Sequence, residues 1–339
     1  MTAHASPQIS IVLPVRDARE TLDECLDSIA AQTFSDYELL VIDDGSRDTS
    51  AALVAQRAQR DTRIRLIRQP PLGLVVALNR GLTEARAPLI ARMDADDRMY
   101  PQRLAAQVAG LAADPALGLL ACQVRLFPDE SVQAGFREYI RWQNACCDPV
   151  TIGDEIYVES PFAHPTVMFR RAVVQDAGGY RAGHFPEDYD LWLRLIRRGV
   201  KMAKLPRVLL DWRESEGRLS RIDPRCSRAA FDHLRAAYLA RDPRLQDRPL
   251  VFWGAGRKTR RRCHLLIERG FTPRAWVDID PGKIGNRLRG VPVVAPAWLA
   301  HDARPFVLSY VANHGARENI ASRLEAMGYR RGQDYLMVG

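Results

Sequence analysis

The sequence predicts an α/β chain: a mostly parallel sheet with helices on both faces, followed by a smaller α/β domain. Three observations carry this. Short apolar, β-branched runs alternate with segments of helical spacing from residue 9 to residue 124, and repeated β-α units close into a parallel sheet. Carboxylates stand at the ends of two of these runs, in "YELLVIDD" and "PLIARMD". A polar, proline-bearing stretch, "RDPRLQDRP" (241–249), then precedes a fresh strand–glycine–helix pattern. The expected organisation is a first domain over 1–240, a linker over 241–249 and a second domain over 250–339.

Each element has a local reason. "ISIVLPV" (9–15) and "YELLVIDD" (37–44) are continuous apolar runs, as strands buried on both faces are. Between them Leu22, Cys25, Leu26 and Ile29 recur at helical spacing. "TSAALVAQRAQR" is helical, "IRLIRQ" (64–69) a strand, "GLVVALNRGLTEAR" (73–86) helical and "PLIARMD" (88–94) a strand. "PQRLAAQVAGLAAD" (101–114) opens with Pro at a first helical position, and "GLLACQV" (118–124) is another strand. Further on, "HPTVMFRRAVV" (164–174) mixes strand and helix start, and "EDYDLWLRLIRRG" (187–199) is an amphipathic helix with Leu191, Trp192, Leu195 and Ile196 as its apolar stripe. In the last segment "LVFW", "GAG" and "RAWVDID" read as strand, turn and strand.

Composition narrows the function classes. The chain has 339 residues, 47% hydrophobic and 27% charged, enough for two cores. Its net charge of +8 suits a polyanionic partner: nucleotide phosphates, acidic glycans or anionic lipid headgroups. Nucleic acid is not expected as a partner, because no basic–aromatic module of a known nucleic-acid reader is present. The six cysteines form no C-x-x-C pair and are expected reduced and mostly buried. No basic stretch leading into an apolar one opens "MTAHASPQIS", so no secretory leader is expected, and no run reaches transmembrane length. The expected location is cytoplasmic, with peripheral contact at the inner face of the cell membrane as an extension. "RKTRRR" (257–262) would serve that contact, against the plainer reading of a solvated helix face.

Parallel sheets bind ligands at the carboxyl ends of their strands, where Asp43, Asp44 and Asp94 fall. Asp94-Ala95-Asp96-Asp97 crowds three carboxylates. Such crowding raises at least one pKa unless a positive charge sits among them, and an Asp-x-Asp at a strand end offers oxygens to a divalent cation. The competing structural reading is an Asp-rich helix cap ahead of Pro101.

"ISIVLPVRD", "QTFSDYELLVIDDGSRDTS", "GLVVALNRG", "MDADD", "HPTVMFRR" and "EDYDLWLRL" occur in this order. Together they resemble the family 2 glycosyltransferases, of GT-A nucleotide-sugar-binding fold, over about residues 7–222. The resemblance implies an inverting transfer of a sugar from a nucleoside diphosphate sugar, a UDP-sugar first, to a saccharide or lipid-linked acceptor hydroxyl, in cell-surface polysaccharide or glycoconjugate synthesis. It implies Mn2+ or Mg2+ held by Asp96, with Asp94 on the metal or on the ribose of the nucleotide sugar, and Asp97 touching the sugar or supporting the site. Asp188 matches the catalytic base, with Glu187 as the alternative, and a helix N-cap is compatible with that role. Asp190 is expected to pair with nearby arginines. Asp43 and Asp44 match the pair that contacts nucleobase and ribose, Asp44 the better match for the base. Pro14 and Arg16 match the nucleobase pocket, and Asn79 the nucleotide-binding loop, against an ordinary helix residue. Arg80 is open to a phosphate or to solvent, and His164 to a ligand contact or a core role. Ser215 stands where the family often has a further His ligand, which leaves the third protein ligand in question.

The last segment resembles the small Rossmann-like domains of sugar acyltransferases. A second nucleotide would sit at Gly254 and Gly256, with Asp278 at the ribose, although Thr259 replaces the third glycine. Docking or homo-oligomer formation is the alternative role for that domain. For the whole chain, a non-catalytic nucleotide-sugar-binding or scaffold protein is the alternative function.

Overall fold

The protein is described from a computed structural model covering residues 6–128, 133–215, 217–246, 248–300, 304–311 and 315–339. Residues 1–5, part of the stretch read for a leader, and 129–132, within the 125–165 segment, lie outside the described residues. The chain forms two compact units: Met1–Pro149 with Pro161–Ile222, and Val150–Ser160 with Asp223–Gly339.

The first unit carries an eight-stranded sheet. Its strands are β1 (Ile9–Val15), β2 (Tyr37–Asp44), β3 (Ile64–Gln69), β4 (Leu89–Arg92), β5 (Arg98–Met99), β6 (Leu117–Phe127), β7 (Met168–Arg170) and β8 (Lys201–Arg213), in the order β3-β2-β1-β4-β7-β6-β8-β5. Its helices include α1 (Arg19–Ala30), α2 (Ser50–Ala58), α3 (Leu74–Glu84), α4 (Arg103–Ala113) and α5 (Ala134–Ala145). Further helices are α6 (Pro149–Glu155), which opens the segment lent to the second unit, α7 (Arg171–Asp176), α8 (Glu187–Arg197) and α9 (Leu219–Ile222).

β1, β2, β3 and β4 are parallel, with β1 between β2 and β4. β1 and β2 are buried along their whole length, which is why they read as unbroken apolar runs. β7 runs antiparallel to both β4 and β6. Three residues are too few to display a pairing direction in sequence, so the reversal is a tertiary outcome. α3 reaches β1 through Gly81, where an added Cβ would lie 2.3 Å from Val12 Cγ1. Cys25 and Cys122 are buried within the core of this unit.

The second unit contains α10 (Arg228–Leu239), β9 (Leu250–Trp253), α11 (Arg257–Ile267), β10 (Pro273–Val277), β11 (Arg287–Leu288), β12 (Val291–Val294), β13 (Phe306–Ser309), α12 (Ala316–Ala326) and β14 (Tyr335–Met337). Its sheet order is β11-β12-β10-β9-β13-β14, parallel except for edge strand β11. The order reverses beside β9, as in a doubly wound sheet.

The unit boundary differs from the sequence expectation at 240. α10 packs with α11 and buries Leu234, Ala236 and Leu239. Within 241–249, Pro243–Leu245 forms a short 3-10 turn capped by Asp242, with Leu245 buried. The polar composition of that stretch therefore reflects a capped turn with one anchoring leucine.

Candidate active site

Because β1, β2 and β4 are adjacent and parallel, the segments that follow them lie at one edge of the sheet. That edge holds Arg16, Asp43, Asp44 and the Asp94–Asp97 turn. The backbone of the turn is fastened by its neighbours. Thr21 Oγ1 donates to Ala95 O at 3.0 Å, and Arg213 Nε donates to Asp96 O at 2.7 Å.

The structure brings Asp94, Asp96 and Asp97 together, with one carboxylate oxygen from each within 4.8 Å of the others. Asp97 is buried; its Oδ1 accepts from the Arg213 backbone N–H at 2.8 Å, and its Oδ2 has no hydrogen-bond partner. Burial, then the charges of Asp96 and Asp94, push the Asp97 carboxyl well above the usual carboxylate range. Burial and then Asp94 raise Asp96 to about 6. An orphaned buried oxygen beside two further carboxylates, all hard oxygen donors, fits a divalent cation of the Mg2+ or Mn2+ type.

Arg92 was not singled out in the sequence and is central here. Its side chain is 2% exposed and pairs with Asp94 Oδ1. Burial works against its charge, but Asp94, Tyr180 and Glu187 outweigh burial and hold the guanidinium more strongly protonated than usual. Its charge also reaches Asp188 and His164. One buried cation thus lies electrically between the acidic turn and the start of α8. The available signal was period two: Arg92 and Asp94 are two residues apart at the end of a strand and share a face, and a charge in an otherwise apolar strand requires a partner.

Asp188 lies in the first turn of α8, beside buried Glu187. Burial first and Glu187 second raise its carboxyl to about 7, against the Tyr189 N–H, which donates to Asp188 Oδ1 at 2.7 Å, and against Arg92. Asp190 turns inward and accepts from Arg194 Nε at 2.8 Å, both residues buried.

The remaining site residues separate by what their polar atoms already do. Asp44 Oδ1 accepts from Gln69 Nε2 at 2.8 Å and Leu72 N at 2.9 Å, and Oδ2 accepts from Gly73 N at 2.9 Å. Arg16 lies 3.8 Å from the same carboxylate. Asp44 therefore holds the loop that leads into α3. Asp43 Oδ1 accepts from Ser46 N at 3.2 Å. Pro14 pairs with Ile42 within the sheet. Asn79 spends both ends of its amide on Tyr180, donating to its carbonyl and accepting from its N–H, each at 2.9 Å. Arg80 pairs with Glu84 at 3.0 Å on the exposed side of α3.

His164 is buried, with Nε2 2.9 Å from Tyr180 Oη. Burial and the Arg92 charge push its pKa well below the ordinary value, so the imidazole is neutral. Ser215 is exposed. Near it Arg218 pairs with Glu214 at 2.8 Å and bears a charge felt by Asp96 and Asp97. A cation, not an imidazole, thus acts on the acidic turn from this segment.

In the second unit, Gly254 has φ +108°, and a Cβ there would meet Val311 and Thr259 at 2.8–2.9 Å. Gly256 faces open space. Asp278 Oδ2 accepts from Ala255 N at 2.8 Å, and Oδ1 accepts from Asp280 N at 3.0 Å. Burial pushes Asp278 up, but these N–H groups and Lys283 prevail and hold it below the usual carboxylate range. Asp278 therefore secures the glycine turn through its own backbone.

Known proteins share this arrangement of sequence and fold. The profile of Glycosyl transferase family 2 matches residues 10–178. The amylovoran biosynthesis glycosyltransferase AmsE of Erwinia amylovora is 31% identical over 206 residues, covering 60% of this chain and 75% of that protein. S. aureus TarS 1–349 in complex with UDP-GlcNAc superposes with a TM-score of 0.53 at 17% identity, over 69% of this chain and 72% of that one. The mannosyltransferase PcManGT from Pyrobaculum calidifontis, in complex with GDP-Man and Mn2+, has a TM-score of 0.52 at 16% identity, over 96% of this chain and 82% of that one. The two structural likenesses bear on fold.

Proposed function

The chain belongs to glycosyl transferase family 2, and from that premise we propose that it moves a sugar, with inversion, from a nucleoside diphosphate sugar to a hydroxyl of a saccharide or lipid-linked acceptor. A UDP-sugar is the first donor to test and a GDP-sugar the second, since fold neighbours bind UDP-GlcNAc and GDP-Man. The product would enter a cell-surface polysaccharide or glycoconjugate; the relative AmsE is named for amylovoran biosynthesis.

One observation carries the reading. Two acidic groups of different character, the Asp94–Asp96–Asp97 turn and Asp188, share one buried cation, Arg92. Transfer forms a bond from the acceptor oxygen to the anomeric carbon and breaks the bond to the diphosphate oxygen. The acceptor hydroxyl loses a proton as it attacks. Asp188 is the carboxylate proposed to take it, and a pKa of about 7 suits a base at neutral pH. The diphosphate leaves with growing negative charge. A divalent cation held by Asp96 and Asp94, with Asp97 behind them, would supply positive charge against it. Asp43 remains available to a nucleobase or ribose donor group, while Asp44 shapes the loop beneath. Arg92 orients Asp94 through their ion pair.

The test is release of nucleoside diphosphate from a panel of UDP- and GDP-sugars, with Mn2+ and with EDTA. Metal-dependent turnover or binding of at least one donor is expected. If no donor is bound or turned over at any metal concentration, the enzymatic reading fails and a scaffold role takes its place.

A further inference from the structure

The first two turns of α11 carry Arg257, Lys258, Arg260 and Arg261, all exposed, opposite a buried face of Thr259, Cys263 and Leu266. Among the described residues no carboxylate forms an ion pair with any of the four. Exposed arginines elsewhere can be matched, as Arg125 is by Asp211 and Arg141 by Glu138. Like charges at i and i+3 or i+4 repel, and cations at a helix N-terminus oppose its dipole. The arrangement therefore works against the helix that bears it, and no carboxylate among the described residues compensates by an ion pair.

The patch continues beyond the helix. Arg289, exposed on the β11–β12 turn, approaches His264 Nδ1 at 3.4 Å. The loop after β10 is tied to the start of α11 by the Ala255 N–H to Asp278 bond. That loop presents Ile279, 67% exposed, and Ile284, 36% exposed, on either side of Lys283, whose own charge is paired with Asp278 and Asp280. The large exposed apolar side chains of the described residues are all aliphatic, so the patch lacks the aromatic platforms on which unpaired bases stack.

We propose that this face of the second unit docks on an anionic phospholipid bilayer. The cations meet headgroup phosphates, and Ile279 and Ile284 enter the boundary between headgroups and acyl chains. No helix among the described residues is long and apolar enough to cross a membrane, and this mode of attachment requires none.

The experiment is co-sedimentation of the full chain with vesicles of phosphatidylcholine alone and with about 30 mol% phosphatidylglycerol, at low and high salt. Partition onto the anionic vesicles is expected, weakening as salt rises. Arg257→Glu/Lys258→Glu/Arg261→Glu should lower the partition coefficient at least about 100-fold. Ile279→Ser/Ile284→Ser should lower it about 10-fold without changing the salt dependence. All five positions are exposed, so thermal melting no lower than that of wild type certifies the fold of each variant. Three results overturn the proposal: no preference for anionic over neutral vesicles, wild-type partition by the charge-reversal variant, or displacement of the vesicles by an equimolar single-stranded RNA. Donor turnover in solution is read in parallel, so failure of membrane docking and failure of the proposed transfer reaction are distinguishable.

Discussion

Replacing Asp188 by asparagine tests the site most directly, because activity and stability should move in opposite directions. Burial and the Glu187 charge lift the Asp188 carboxyl from 3.8 to about 7. In wild type the proton-accepting form should therefore grow from about a tenth at pH 6 to about nine tenths at pH 8, and kcat/KM with it. The amide of the Asp188→Asn variant cannot take the acceptor proton, so kcat should fall about 100- to 10,000-fold at pH 8, with the donor Kd within about twofold of wild type.

The stability sign follows from the same shift. A carboxyl whose folded pKa is raised binds its proton more tightly when folded. Its contribution is present below about pH 4 and is lost as the pH rises through about 7. A lift of that size corresponds to a ceiling of about 4 kcal/mol. The residue is only partly buried, so a gain of about 1–2 kcal/mol for Asp188→Asn at pH 8 is expected. The gain should open between pH 4 and pH 7 and stay level above. The assays are donor calorimetry, transfer kinetics across pH, and thermal melting at pH 4 and pH 8. Retained turnover, lost donor affinity, or a variant less stable than wild type at pH 8 would refute the reasoning.

Further outcomes follow from named contacts. Asp96→Ala should weaken Mn2+-dependent donor binding about 10- to 100-fold, and wild-type metal binding should fall below about pH 6 as protons compete for Asp96, both read by calorimetry. Asn79→Ala leaves the Tyr180 N–H and carbonyl without their partner and should cost about 1–3 kcal/mol by urea denaturation. Gly81→Ala places a Cβ 2.3 Å from Val12 Cγ1 and should cost about 1–3 kcal/mol in the same measurement.

What the sequence by itself determined was local and periodic. The runs 9–15, 37–44 and 64–69 match their strands residue for residue; the first two are buried along their whole length and leave a continuous apolar signature. The positions of Asp43, Asp44, Asp94, Asp96 and Asp97 at strand ends follow from the same alternation, and the place of Asp188 at the start of α8 from the amphipathic pattern behind it. The tertiary structure decided what those groups face. Only the pairing of β4 with β1 and β7, and the approach of Tyr180 and Glu187, reveal Arg92 as the shared cation. Only the folded loop shows Asp44 bonded to Gln69, Leu72 and Gly73, and Asn79 bonded to Tyr180 more than a hundred positions away. The reversal of β7 and the assignment of α10 to the second unit were likewise undetermined by composition. The physical reason is common to all of these. Periodicity records whether a side chain is buried, whereas the partner that satisfies a buried charge or amide comes from distant chain and is chosen by packing.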